Sequence, residues 1–408
     1  MPEAEEMPSA DTFDVAIAGA GPAGSSSAIQ LALAGARVLL IEEKKFPRPK
    51  LCGEFISPEC LTHFKRLGVM DQMSAAGGAA VSETVFYSRH GKSVAVPSEW
   101  FMSGVPALGL SRSEMDHQLL QRAIRAGVVV LEEAHASRLN CERERVRGIR
   151  VKSGIATADY EALITVDATG RTRSLARHLD PPRPNQRKRI NSLVAFKAHL
   201  AGARLAPGAC EIYFYKRGYG GLSAVEGGVS NLCFIVSAND VRRFNSTPEL
   251  VLREVVMKNS RAAYTLAEAT ASTPWLSVAL ERFGRRTLAP APGLLTAGDA
   301  AAFIDPFTGS GMLMALESGQ VAAEAILKHL AQLRRGSGFA SLASNYEADY
   351  QRRFASRLRV SGLLRRAAFF PNLAEAAILL SGTSSTLRRK LARATRHSNS
   401  PEARASSF

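Results

Sequence analysis

Cysteine is scarce in this chain. Cys52, Cys60, Cys141, Cys210 and Cys233 are the whole supply, odd in number and without a C-x-x-C pair. Neither a disulfide framework nor a zinc ribbon fits that pattern, and a reducing cytoplasm is the expected setting. The eight His residues form no H-E-x-x-H or H-x-H cluster, so no metal site is expected. No apolar run reaches the roughly 18 residues that a spanning helix needs. The opening MPEAEEMPSA is acidic and lacks an apolar centre, unlike a secretory signal, and residues 1–11 read as a loose leader. Gly and Pro, at 32 and 19, hold ordinary shares, which excludes collagen-like and low-complexity chains. There is no internal repeat.

What is present in excess is positive charge, a net +15 over 408 residues, with 40 Arg against 12 Lys. Residues 331–408 carry fourteen Lys and Arg against four acids, Glu347, Asp349, Glu375 and Glu402. An Arg-rich genome produces such a bias without function. The functional reading is a peripheral contact with an anionic phospholipid surface, at the inner face of the membrane. A nucleic-acid partner is not expected, because charge is its sole support. Within Gln351–Thr395, RRFASRLRV, LLRRAAFF and LRRKLARAT are interleaved with LAEAAILL. That texture suits basic amphipathic helices, either lying on lipid or covering an apolar active-site mouth with their Arg residues solvated.

Phe13–Ala18 is a short β-forming run. Gly19-Ala20-Gly21-Pro22-Ala23-Gly24 follows, then a helical pattern closed by Gly35, then the second strand Arg37–Ile41 ending on Glu42. This strand–turn–helix–strand unit is the context a dinucleotide fingerprint requires. Gly19 allows the tight turn, Gly21 lets a pyrophosphate approach the helix N-terminus, and Gly24 lets helix pack on strand. Pro22 suits the first helical position, with Ala23 beside it. Glu42 can accept both ribose hydroxyls of an adenosine and would repel a 2′-phosphate.

Farther on, Arg112–Ala126 reads as a helix and Val128–Leu131, Val146–Val151 and Leu163–Asp167 as strands. Ser192–Leu200, Cys210–Tyr215, Tyr219–Val225 and Asn231–Val236 suggest an antiparallel sheet. Helical patterns return at Glu249–Met257. A late strand, Leu294–Ala297, leads through Gly298-Asp299 and Asp305–Met312 into a long helix, Gly309–His329. Residues 343–394 read as mostly helical, broken at Pro371. The predicted class is α/β, a discontinuous Rossmann-type domain (12–80, 111–180, 286–330) with an inserted antiparallel-sheet substrate domain (81–110, 181–285) and a basic helical C-terminal region (331–408).

G-x-G-P-A-G at the start and G-D-A-A-x-x-x-D-P-x-x-G-x-G near residue 300 resemble the FAD-dependent aromatic hydroxylase superfamily. Phe46-Pro47-Arg48-Pro49-Lys50-Leu51-Cys52-Gly53-Glu54, and Val166-Asp167-Ala168-Thr169-Gly170-Arg171, resemble its geranylgeranyl reductase-like branch, a neighbour of the flavin-dependent halogenases. The resemblance spans residues 13 to about 330. It implies FAD with its pyrophosphate on Gly19–Gly24 and its ribose on Glu42. It places Arg48, Cys52 and Gly53 along the flavin side, and Arg112 and Gly170 beside the cofactor. Asp299 would bond the ribityl or pyrophosphate region. Gly309, Gly311 and Met312 would present backbone to the ring. The branch's Y-x-W-x-F-P stretch is replaced by Tyr219-Gly220-Gly221-Leu222-Ser223-Ala224, so the cavity wall has lost bulk.

Flavin chemistry then sets the expected activity. The favoured expectation is an NAD(P)H-driven monooxygenase acting on a hydrophobic phenolic, polyketide or isoprenoid-like small molecule. The alternative is a flavin-dependent reductase of C=C bonds in a prenyl or related lipid. A flavin-loaded electron carrier without a dedicated substrate is the rival of another class. Tyr219 is the candidate catalytic group, as orienter of a substrate hydroxyl or proton relay. Tyr215, Glu54 and Cys52 are further polar candidates near the ring, with Glu54 either a general base or an exposed capping carboxylate.

Overall fold

The computed structural model describes residues 12–102, 104–180, 193–280 and 283–368, together with Thr386, Arg389 and Lys390. Phe13–Ala18 is buried at every position because it lies inside a sheet covered on both faces. It pairs in parallel with Val38–Ile41 on one side and Ala156–Asp167 on the other. Val129–Leu131 extends the sheet beyond Val38–Ile41. Leu294–Thr296 returns from far along the chain to pair in parallel with the end of Ala156–Asp167. Two antiparallel strands, Arg145–Ser153 and His135–Glu142, complete seven.

A second sheet of eight strands stands apart in sequence. Its centre is Leu193–Ala201, Ser230–Ser237, Gly218–Ala224 and Ala209–Tyr215, all antiparallel neighbours. The early segment Glu83–Tyr87 joins it parallel to Ala209–Tyr215, with Ser93–Pro97 outside. Leu276–Leu280 pairs with Leu193–Ala201 from the other edge.

Two helices clasp the first sheet. Pro22–Leu33 lies against Gly311–Arg334 so closely that a Cβ on Gly319 would fall 2.2 Å from the carbonyl oxygen of Ala23. Ser26 Oγ donates to the Leu316 carbonyl across the same contact at 3.0 Å. The long helix begins at Gly311 and continues to Arg334, later at both ends than the sequence pattern suggested. Glu249–Met257 is interrupted: Pro248–Glu254 is helical, Val255 leaves helical geometry, and Val256–Lys258 forms a short tight turn.

The described part of the C-terminal region is one helix, Phe339–Ala368. Tyr346, Tyr350 and Phe354 recur at four-residue spacing, which puts them on one face, and all three are fully buried. Their rings meet in sequence, and Tyr346 donates to the Thr296 carbonyl at 2.6 Å. Arg357 corrects the expectation of solvated arginines: it is 1% exposed and donates to Glu317 at 2.5 Å. Arg353 approaches the same carboxylate. A long cation buried this deeply persists because a carboxylate meets it there. Pro371, the LAEAAILL run and nearly all of the terminal basic stretch lie outside the described residues. Among the described residues, no helix is long and apolar enough to cross a membrane.

The Gly319 contact is rigid because its obstacle is backbone. Gly319→Val is expected to destabilise the fold by about 1–3 kcal/mol, the usual cost of overpacking, read as a lowered urea midpoint with an unchanged m-value.

Candidate active site in the cleft between the two sheets

One cavity of about 790 Å³ runs from the Gly-rich turn to the second sheet. At the turn, Gly19 sits at φ +99° and donates its N–H to the Ile41 carbonyl at 2.7 Å. A Cβ there would meet the Ala168 oxygen at 2.5 Å. Gly24 faces packing and not the cavity, since its Cβ would stand 1.9 Å from the Gly19 oxygen. Gly21 is different: the nearest atom to a Cβ is Arg112 Nη2 at 3.8 Å, so its face is open to the cavity. Pro22 opens the helix, and Gly21 as N-cap supplies no side-chain acceptor. The helix N-terminus therefore presents free N–H groups and a positive dipole end to the cavity, which suits an anion. Pro22 and Ala23 line the same wall.

Two carboxylates and two guanidiniums stand beside it. Glu42 is buried at the end of Val38–Ile41 and accepts from Ala20 N at 2.9 Å and from Arg48 Nε at 3.2 Å. Arg48 also reaches Asp116 at 3.2 Å. Arg112, first residue of the helix Arg112–Arg125, grips Asp116 in a fork at 2.8 and 2.7 Å. Burial alone would depress the Arg112 pKa, but Asp116 outweighs it and holds the guanidinium firmly charged. The i,i+4 spacing Arg112–Asp116 is readable in the sequence. Its sharing with Arg48, 68 residues from Asp116, is not.

Near the other wall, Asp299 follows Leu294–Thr296 in the turn Gly298–Ala300 and lines the cavity. Desolvation pushes its pKa above the ordinary carboxylate value, against the opposing pull of Arg171, Arg112 and Lys50. Gly309 (φ +59°), Gly311 and Met312 line the cavity where the long helix begins. Gly170 also faces it, whereas Asp167 is turned inward. Asp167 accepts from Thr169 N and Oγ1 with one oxygen, and from Leu175 N and Ala176 N with the other.

Tyr219 lines the cavity from Gly218–Ala224, packed edge-on to Phe307 with ring centres 5.4 Å apart. Its hydroxyl donates to Asp305 at 2.6 Å. Burial, reinforced by Asp305, lifts its pKa well above 10, so it remains a phenol with its proton committed. Tyr215 donates to the Ile235 carbonyl at 3.0 Å. Cys52 and Gly53 reach the cavity, and burial raises the Cys52 pKa, which keeps a thiol. Glu54 is no exposed cap: it is 1% exposed, at φ +53°, and bonded to Lys197 and His199. Those two residues and Asp116 are polar groups to which the sequence analysis gave no role, and Asp305, quoted there as part of a motif, gains its partner Tyr219 only here. Lys-x-His on one strand does signal a shared face, yet nothing local says which carboxylate meets it.

The donor set can hold a long anionic dinucleotide. An uncapped helix end and two cations suit a pyrophosphate, a strand-end carboxylate suits a ribose, and a carboxylate farther on suits a polyol. Bare backbone at Gly309–Gly311 suits a flat ring. Such a cleft, between a Rossmann-type sheet and an antiparallel one, defines a flavin-dependent oxidoreductase.

The chain belongs to the FAD binding domain family, whose model matches residues 12–360. It is 28% identical over 349 residues to a digeranylgeranylglycerophospholipid reductase of Methanosarcina acetivorans, covering 84% of this chain and 81% of that one. It is 26% identical over 327 residues to a menaquinone reductase of Mycolicibacterium smegmatis, covering 76% and 75%. Among solved structures, a geranylgeranyl bacteriochlorophyll reductase-like protein of Thermoplasma acidophilum superposes with a TM-score of 0.78 at 19% identity, covering 94% and 96%. A share of this fold also superposes on the flavin-dependent brominase Bmp2, with a TM-score of 0.77 at 22% identity and 94% and 93% covered.

Gly21→Val is expected to yield folded but colourless protein, measured as flavin absorbance per chain beside an unchanged circular dichroism spectrum. Asp299→Asn carries a sign. Because the folded-state pKa of Asp299 is raised, its ionised form weakens the flavin-free fold at pH values above that pKa, and the penalty vanishes as pH falls below the ordinary carboxylate value. The variant should therefore melt higher than wild type at neutral pH when flavin-free, equal it in acid, and retain FAD less well.

Proposed function

We propose that the protein uses FAD, refilled by NADH or NADPH, to reduce C=C bonds in the isoprenoid chain of a lipid-like molecule. The observation that carries this is the chemistry of the far wall. The second sheet lines the cavity with Val94, Val96, Ile212, Ile235, Val278 and Leu280 among others, and none of its lining residues is charged. An apolar chain gains about 25 cal/mol for each Å² it buries against such a wall. The relatives named as digeranylgeranylglycerophospholipid and menaquinone reductases support the same reading.

Bound flavin supplies a hydride, and the protein supplies orientation and exclusion of water. Gly19–Gly24 and the Arg48–Arg112 pair would hold the pyrophosphate, Glu42 the adenosine ribose, Asp299 the ribityl region, and Gly309, Gly311 and Met312 the ring. Cys52, Gly53 and Gly170 would close the remaining sides. Tyr219 acts in this reading as a wall and a prop for Asp305. Oxygenation of a phenol would instead call for a free polar group to fix the ring, and the Tyr219 hydroxyl is already spent on Asp305.

Purified holoenzyme is expected, under strict anaerobiosis, to convert a geranylgeranylated lipid with NADPH into products heavier by two hydrogens per bond, read by mass spectrometry. Product that forms only with O₂ and gains one oxygen atom would overturn the reductase reading in favour of monooxygenation.

A further inference from the structure

The proposed chemistry leaves one demand unmet by the groups already discussed. Adding hydride to one carbon of a C=C requires a proton at the other. Reduction of O₂ to hydrogen peroxide by the reduced holoenzyme likewise takes one hydride and one proton from solvent. Either way a proton must enter a cavity walled by apolar side chains.

The second sheet carries a charged polar cluster on Leu193–Ala201, next to the cavity wall. Ala195, Lys197 and His199 alternate on Leu193–Ala201 and so share a face, and Ala195 lines the cavity. Lys197 donates to Glu54 Oε1 at 2.9 Å, and His199 Nε2 stands 2.6 Å from Glu54 Oε2. The Arg112 backbone N–H completes the carboxylate's partners at 2.9 Å. Exposure grades across the group: the Glu54 side chain has no accessible surface, although the residue is part of the cavity wall, while His199 keeps 16% exposed. Solvent therefore touches His199 at one end of a short hydrogen-bonded chain whose other end, Glu54, is a residue of the cavity wall.

We propose that His199 and Glu54 form a proton inlet from solvent to the reaction cavity, with Lys197 as the positioning residue that fixes Glu54. The proton leaves His199 Nε2 for Glu54 Oε2 and passes to the acceptor in the cavity, and His199 is reprotonated by water. Each reduced C=C consumes one hydride and one such proton, and two C–H bonds form. Burial alone would raise the Glu54 pKa, but the His199 hydrogen bond, the Lys197 charge and the Arg112 N–H outweigh it and hold it below the ordinary value. Glu54 thus rests as a carboxylate that hands a proton on and does not store it. The remaining titratable groups facing it are Cys52 and Cys233, whose thiols burial keeps protonated. Glu54 itself sits at positive φ, and its N–H donates to Cys52 Sγ at 3.4 Å, so the thiol helps to fix the turn that carries the carboxylate.

This inference refines the reaction just proposed, yet its test needs no lipid. Holoenzyme is reduced anaerobically and mixed with O₂, and flavin reoxidation and peroxide are followed by stopped flow from about pH 6 to 9. His199→Gln is expected to slow reoxidation by about 10²-fold, with added imidazole restoring the rate in a concentration-dependent way. Glu54→Gln is expected to slow it without imidazole rescue. In flavin-free wild type, the His199 Nε2–H followed by ¹⁵N NMR should exchange with water more slowly than in Glu54→Gln. Wild-type reoxidation in His199→Gln, slowing that imidazole does not relieve, or a His199 Nε2–H exchange unmoved by Glu54→Gln would each overturn the inlet. A working inlet in a protein that leaves C=C bonds untouched would sink only the substrate reading.

Discussion

Backbone meets backbone without an intervening side chain at Gly19–Gly24, and the rest of the molecule is arranged around that contact. Gly19 lets the Ala168 carbonyl approach, Gly24 lies on the Gly19 oxygen, and Ala23 is pressed by Gly298 and Gly319. Three remote segments thus converge on six residues: the end of Ala156–Asp167, the turn Gly298–Ala300 and the helix Gly311–Arg334. What the convergence leaves open is the face of Gly21. A helix end buried without a capping side chain is costly unless an anion answers it, so packing and ligand binding are one problem here.

Charge follows from the same demand. A cleft that accepts a pyrophosphate needs cations, and buried cations need counterions when the cleft is empty. Asp116 and Glu42 serve Arg48 and Arg112 in that role. The ionic groups gather around Arg48, Arg112 and Asp299, joined there by Lys50 and Arg171, whereas the second sheet lines the cavity with uncharged side chains. The gradient from ionic to apolar matches a ligand whose phosphates lie at one end and whose reactive partner is greasy.

Local features were legible. The strand, turn, helix and second strand at the N-terminus are set by neighbours in sequence, so residues 13–42 read correctly to within one residue, with Pro22 the first helical residue and Arg37 just outside the strand that begins at Val38. Gly298-Asp299 and Gly309–Gly311 were visible for the same reason, each being a turn fixed by its own glycines. Partnerships across the fold were not. Glu54 and Lys197 are 143 residues apart, and no local pattern links them. His135–Glu142 escaped notice because it lies at the end of its sheet with most side chains in water, which erases the alternation that marks a strand. The last helix misled through composition: its Arg content suggested a solvated face, while Tyr346, Tyr350 and Phe354 at four-residue spacing carried the packing signal.

Stoichiometric uptake of FAD tests the central claim most directly. Flavin-free protein, titrated with FAD in a calorimeter, should bind one molecule per chain, with a heat that shrinks as added pyrophosphate competes for the helix end. A titration showing no uptake, or uptake indifferent to pyrophosphate, would contradict the account.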